Sequence, residues 1–529
     1  MKAETIKRRN MKILCGVIVA AICLGLIVAA EDDQSKTAPN DKKENATNAT
    51  SDDVKPAKDA ASANDKNKTE PNKLCGTCNC DAAKRTFDCS AMKLYKLFNM
   101  SEWATLNESG VATEVMLLDH NGIPEVLPFP NLDVKVLDLS HNNISRIAKK
   151  AFFALKQLEV LDLSHNMLTT KTLDPVVFEG RYDPDEFLPL EKLRVLRLSY
   201  NQLHSLDQDL FEHMPNLEKL SLMGNVFKVI DQLTETAIGS VRTLRSLDLS
   251  YMELEDLPVY VFNAPQGLQH LNLTGNLLIS VPEALRYASN LKWLSLDENP
   301  ISSIQGENVF PALKSLEFLS LSYITPLKVI GRGAFGKLEN LREIHICNNP
   351  EFSFLQADAF VRYDAEVPTT KLWPRVKRLY LHNNNLSALD PQLLARWDDM
   401  ELIDIRNNPW SCDCDNQWFI GTLLPIIEKT TPKIMNNIIC ASPKQMAGSS
   451  LVELEHKHAQ MRCQDKFGNN PQNDGALLVG LLVGILTGIP LTAALILIYK
   501  RGCFGLVRRG PADYTRAFYS RATTVNDDF

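Results

Sequence analysis

At 529 residues the chain has room for several ordinary domains, so length alone bounds little. A formal net charge of −7 argues against a nucleic-acid partner. Twelve cysteines, most of them in two tight groups, already point away from a reducing compartment.

The first element is a leader. Lys7, Arg8, Arg9 and Lys12 precede the apolar run from Ile13 to Ala30, which closes on Val28-Ala29-Ala30. A basic start, an apolar stretch and small residues at the exit describe a secretory signal over residues 1–30, cut before Glu31; an uncleaved signal anchor is the competing reading. Residues 31–72 are Asp, Lys, Ala, Asn and Thr with almost no large apolar side chain, so this segment is expected to be disordered. A cysteine group follows at Cys75, Cys78, Cys80 and Cys89, within a segment bounded at 73–110. Its CxxCxC spacing also suits zinc, but no His falls between residues 75 and 89, and secretion favours disulfides.

Residues 111–409 repeat one phrase: "VLDLSHNNI", "VLDLSHNML", "VLRLSYNQL", "HLNLTGNLL", "RLYLHNNNL". With the Asn-like position as a ruler, units register at Asn121, Asn142, Asn166, Asn201, Asn225, Met252, Asn276, Asn299, Ile324, Asn349, Asn384 and Asn408, giving twelve. Within a unit the leucines alternate, so Leu137 and Leu139 face one way and Asp138 the other, which reads as a short strand. The Asn amide is suited to bonding backbone where the chain turns away. Met252 and Ile324 replace it, so those two turns are expected to lack its hydrogen bonds and to be reshaped. Most units place a Phe some ten to twelve residues later, at Phe152, Phe178, Phe211, Phe262, Phe310, Phe335 and Phe360. One unit cannot cover its own apolar face, whereas stacked units make a continuous core.

The pattern from about Val115 to Trp410 resembles the leucine-rich-repeat family. The resemblance implies an α/β solenoid, a horseshoe with a parallel concave sheet and Phe on the convex side. A second cysteine group, Cys412, Cys414, Cys440 and Cys463, sits in "NNPWSCDCDNQWF" and the residues after it, within 410–463. Both groups resemble the extracellular caps of that family. That likeness implies the pairs Cys75–Cys80, Cys78–Cys89, Cys412–Cys440 and Cys414–Cys463; spacing alone leaves the connectivity open. Cys347 and Cys503 are left over.

Two insertions break the period, "VFEGRYDPDEFLPL" and "AFVRYDAEVPTTKLWP". Six positions ordinarily separate the Phe from the next strand's first apolar residue; Phe178 to Leu193 takes fifteen and Phe360 to Val376 sixteen. Both enter at the same corner of the unit, where the chain climbs back toward the strand. They share Arg181-Tyr182-Asp183 and Arg362-Tyr363-Asp364. Neutral length variation and an internal duplication compete with the reading that they form two partner contacts on one edge.

After a stalk at 464–474, residues 475–499 run without a charge, long enough to span a bilayer core of ~30 Å. Lys500-Arg501 and Arg508-Arg509 place the tail, 500–529, in the cytoplasm and the N-terminus outside: a type I, single-pass plasma-membrane protein. Gly480, Gly484 and Gly488 form a small-residue face fit for self-association. Cys503 suits palmitoylation. The tail is too short for a catalytic or Toll-like signalling domain.

No enzyme is read. "GRGAFG", Gly331 to Gly336, matches a dinucleotide pattern only on paper, because Phe335 belongs to the Phe column. His456 and His458 are a weak metal signal on a solvated surface. No cofactor or metal is expected. Strand alternation instead predicts ligand-facing columns. One holds Asp138, Asp162, Arg197, Ser221, Asp248, Asn272, Ser295, Ser320, His345, Tyr380 and Asp404; the other holds His120, His141, His165, Tyr200, Tyr251 and Tyr323. The expected partner is an extracellular or cell-surface protein, with Tyr182, Tyr363, Tyr200, Tyr251, Tyr323, His345 and Tyr380 as candidate contacts. Glycan acceptors follow the Asn-x-Ser/Thr rule at Asn45, Asn48, Asn67, Asn99, Asn107, Asn143, Asn272 and Asn385. A glycan at Asn272 is expected to block the middle of the concave face.

Overall fold

The computed structural model describes residues 74–108, 112–179, 189–364, 366–367, 369–463 and 472–500. The leader, the polar segment 31–72 with Asn45, Asn48 and Asn67, Tyr182 in the first insertion, the stalk up to residue 471 and Cys503 in the tail all lie outside the described residues.

Fourteen strands join in one sheet. Twelve of them come from the repeats, running from Val115–Leu117 through Val136–Asp138 and Val160–Asp162 to Leu402–Asp404. Neighbours are parallel and in strict register, Leu137 opposite Leu161, Leu161 opposite Leu196 and Leu196 opposite Leu220. The reason is the period-two pattern: Leu137 and Leu139 are fully buried while Asp138 between them is half-buried. A slip of one residue would put a carboxylate into the core and leucines into water. On the far side of that core the Phe column closes the units. Phe152, Phe178, Phe262, Phe310, Phe335 and Phe360 are all fully buried. Their rings pack on neighbours at 5.7 Å for Phe152–Phe178 and 4.9 Å for Phe335–Phe360.

The turn after each strand is held by the buried Asn. Asn142 donates Nδ2 to the carbonyls of Leu118 and Leu139 at 3.0 Å, and its Oδ1 accepts from Ile123 N at 3.1 Å. Asn166 repeats this on Leu139 and Leu163. The expectation of reshaped turns holds at Met252, where the following Glu253 adds a second left-handed φ of 57° that regular units lack, and is corrected at Ile324. Tyr251 and Tyr323, the residues preceding them, have φ of 54° and 58°, against 52° to 54° at His120, His141, His165 and Tyr200. Both substituted side chains are fully buried, and the next unit's Asn reaches back: Asn276 Oδ1 accepts from Met252 N and Asn349 Oδ1 from Ile324 N. The turn is therefore shared between neighbours: at Ile324 an apolar side chain fills the slot and the residue after it stays out of the left-handed region, as in regular units, whereas after Met252 the chain takes the extra left-handed residue Glu253.

Both ends of the core are lidded. At the first end the strands Asn79–Asp81 and Thr86–Asp88 form a hairpin whose second strand pairs with Val115–Leu117. The helix Met100–Glu108 then lays Trp103 and Leu106 over the first unit. Asn99 accepts from Glu102 N at 2.9 Å while Glu102 accepts from Asn99 N at 2.8 Å, a reciprocal cap that fixes where the helix starts. Disulfides Cys75–Cys80 and Cys78–Cys89 tie this end. At the other end Trp410 and Phe419 pack edge to face at 5.1 Å, above a helix Leu424–Thr430 that buries Leu424 and Ile427. Here the disulfides are Cys412–Cys440 and Cys414–Cys463. A last helix, Gln472–Lys500, contains the apolar stretch Gly475–Ile498, long and apolar enough to cross a membrane.

Candidate partner-binding face

Each strand presents its outward side chains, then the chain turns through a left-handed residue just before the ladder Asn. At these corners rings accumulate. His120 and His141 stack at 4.2 Å, His141 and His165 at 4.0 Å, and His165 and Tyr200 at 4.3 Å, with interplanar angles of 11° to 18°. Stacking follows from register, since equivalent atoms of adjacent units lie one strand spacing apart. Later in the column Glu298, Asn348, Asn383 and Asn407 take the corner, and at two units it is a glycine for a steric reason. Gly224 and Gly275 have φ of +72° and +69°, and a Cβ on either would lie 2.5 or 2.3 Å from the ring of Tyr200 or Tyr251. The tyrosine of one unit thus lies over the glycine of the next.

Tyr200, Tyr251 and Tyr323 remain 40 %, 39 % and 58 % exposed, enough to offer ring faces to a partner. Tyr251 donates to Glu298 Oε1 at 2.9 Å; burial and then that carboxylate push its phenol up to about 12. Burial, and then the neighbouring His141, lower the pKa of His165.

The other half of the face is wired by charge. His345 Nε2 lies 2.8 Å from Glu343, which also holds Arg378 at 2.8 Å, while Arg406 grips Asp404 at 2.7 Å. Here a patch appears that inspection of the columns overlooked. Trp293 and Phe318 stack at 5.3 Å and 6°, Phe318 meets His345 at 5.0 Å, and His345 meets Tyr380 at 4.1 Å. All four side chains are half-buried. The signal was available: Trp293 and Phe318 open their strands, two residues ahead of Ser295 and Ser320, and so share the outward side with them.

Asn272 ends the strand His270–Asn272, half-buried, and its Oδ1 accepts from Thr274 Oγ1 at 2.7 Å. Asn143 and Asn385 are exposed, each directly after a ladder Asn, and Asn99 is exposed at the helix cap. Asn107 lies within the helix Met100–Glu108.

The second insertion folds into a small hairpin, Arg362–Tyr363 paired antiparallel with Lys371–Leu372. Tyr363 is half-buried beneath Arg332, whose guanidinium carbon lies 4.9 Å from the ring centre. Arg362 pairs with Glu339 at 3.2 Å and Lys371 with Asp358 at 3.0 Å, so the hairpin is pinned to the unit before it. Gly336 makes room for this exit: a Cβ there would lie 2.5 Å from the Val361 carbonyl oxygen. In "GRGAFG" the last glycine thus serves chain packing, and Phe335 is a core ring. His456 and His458 are both exposed.

Among known proteins, the model of the family described as leucine rich repeat matches residues 133–180, 182–232 and 242–301. Mouse CD180 antigen is 26 % identical over 267 residues, which cover 50 % of this chain and 34 % of that protein. Mouse leucine-rich repeat transmembrane protein FLRT2 is 27 % identical over 254 residues, 42 % of this chain and 35 % of that protein. The chain thus spans about a third of the length of either relative. A solved structure of the mouse RP105/MD-1 complex aligns at a TM-score of 0.44 and 20 % identity, covering 72 % of this chain and 54 % of that one. The comparisons indicate no enzyme family.

Proposed function

The chain belongs to the leucine-rich-repeat family, and from that premise we propose that it is a cell-surface recognition protein, an adhesion molecule or ligand-binding receptor whose ectodomain holds a protein partner. The helix from Gly475 anchors it, with the N-terminus outside and residues 500–529 in the cytoplasm. Its leader is removed, its sequons carry glycans, and Cys503 carries a lipid. Output passes through laterally associated or recruited proteins.

The observation that carries this reading is the aromatic patch of Trp293, Phe318, His345 and Tyr380 on the outward face of a sheet whose core is closed at both ends. Half-exposed aromatic clusters supply most of the binding energy in many protein interfaces. The patch spans the units on both sides of the second insertion, with Trp293, Phe318 and His345 before it and Tyr380 after it, so a partner seated there also reaches the hairpin edge. A bulky glycan at Asn272, near the middle of the face, would favour that end.

Beads coated with the ectodomain should cluster or bind cells that express the partner. Replacing Trp293 and Phe318 together by Ala should weaken binding by roughly thirtyfold or more, the effect of losing at least ~2 kcal/mol at a hot spot. Trimming residues 362–373 to ordinary length should spare secretion and reduce binding. Undiminished binding by both variants removes the proposal. A second reading, an auxiliary subunit of a channel or receptor in the same membrane, draws on Gly480, Gly484 and Gly488 in the span. It predicts no binding by beads and a partner retained through the span and tail alone.

A further inference from the structure

Between the second hairpin and the units flanking it lies a cavity of 540 Å³. Arg342, Arg362, Arg375 and Lys377 line it, against one carboxylate, Glu339. Three different places in the chain supply these cations. Arg342 and Lys377 each precede a strand of adjacent units, and Lys377 N donates to the Arg342 carbonyl at 2.7 Å, so register alone brings them together. Arg362 comes from the hairpin's first strand and Arg375 from the return of the insertion.

Their charges are unequally satisfied. Arg362 is taken by Glu339 at 3.2 Å and Lys377 by Asp399 at 2.7 Å. Arg342 and Arg375 are exposed and have no ion-pair partner among the described residues. Trp373 forms part of the wall, and its indole N–H, shielded from solvent, donates to nothing among the described residues. A buried donor without an acceptor is uncommon in native folds and calls for an explanation.

We propose that this cavity is an acid-binding subsite that receives the carboxylate of a Glu or Asp side chain presented by the protein partner, seated between Arg342 and Arg375. The proposal rests on the recognition reading above and names the chemistry of one of its contacts. Paired guanidinium groups suit a planar carboxylate through charge-assisted, two-pronged hydrogen bonds. The Leu372, Trp373 and Pro374 wall then packs on the aliphatic or aromatic neighbour of the acidic residue. An extended polyanion such as a sulfated glycan fits worse. It needs a continuous basic track, whereas Asp398 and Asp399 stand beside Lys377, Asp364 and Glu366 occupy the hairpin turn, and the whole chain is acidic.

The test uses the full chain in lipid nanodiscs and two probes, N-acetyl-glutamyl-phenylalanine amide and its glutaminyl counterpart, followed by ligand-detected NMR. The glutamyl probe should bind, and the glutaminyl probe should bind at least tenfold more weakly. Arg342→Gln with Arg375→Gln should reduce glutamyl-probe binding at least tenfold, while Arg375→Lys retains part of it. Equal binding of the two probes, no binding of the glutamyl probe, or an unaffected double variant overturns the proposal. A heparin hexasaccharide that binds in place of the dipeptide and is lost in the double variant also overturns it, in favour of a polyanion site. If the probes fail while hairpin trimming still abolishes cell binding, the subsite falls and the recognition reading stands.

Discussion

In a regular unit the leucine carbonyl at the strand exit accepts two buried amides, one from its own Asn and one from the next unit's. Leu139 receives them from Asn142 and Asn166, and Leu163 from Asn166 and Asn201. Met252 breaks that doubling, so Leu249 is served by Asn276 alone, at 2.9 Å. The same Asn276 accepts from both Met252 N and Leu254 N. Asn276→Ala should therefore cost more stability than Asn166→Ala, by about 1–3 kcal/mol, the penalty of a buried carbonyl left without a donor. Comparing the midpoints of urea unfolding of the two variants checks this; equal midpoints would refute the sharing. The role of the Asn was readable in the sequence because its chemistry is local. The way Met252 is accommodated was not, because it depends on a residue 24 positions away.

The ring column behaves as an element in its own right, although no secondary structure contains it. Its three histidines stack face to face with Asp119 and Asp162 as the nearby acids, and His165 titrates below the usual histidine range, first because of burial and then because of His141. The sign follows directly. The unfolded chain takes up the His165 proton more readily than the folded stack, so stability from the neutral ring is present above the unfolded pKa of ~6.5 and is lost as pH falls below it. Between pH 6.5 and 5 the melting temperature of the wild type should fall further than that of His165→Gln, by roughly 1–3 °C. Parallel curves for the two proteins would show that the stack does not couple to protonation. Sequence alternation placed His120, His141, His165, Tyr200, Tyr251 and Tyr323 in one column. It did not disclose the Trp293–Phe318–His345–Tyr380 patch, which runs diagonally across two columns and exists only once neighbouring strands are in register.

Across the whole molecule, contacts pass from each unit to the next, so stability is quasi-one-dimensional and depends on the ends. Replacing Cys414 and Cys463 together by Ser removes the longest of the four crosslinks, with a sequence separation of 49, and should cost about 2–5 kcal/mol. The loss should be local: hydrogen exchange should quicken from Leu381 to Ile405, beneath Trp410 and Phe419, while the first units keep their protection. Uniform loss would mean that the solenoid unfolds as one cooperative block. The sequence by itself determined the repeat period, the strand alternation, the buried Asn and Phe columns, the two cysteine groups and the apolar span. Each of these is a short-range pattern that acts through backbone geometry or transfer from water. Only the tertiary structure decided which cysteines meet, how Met252 and Ile324 are accommodated, why Gly224 and Gly275 must be glycine, and that the second insertion closes a basic cavity. The cysteine pairs close loops of 5 to 49 residues within the two caps; the other outcomes depend on atoms from adjacent units 24 to 35 residues apart being brought within a few ångströms, which register and inserted length control and no local pattern encodes.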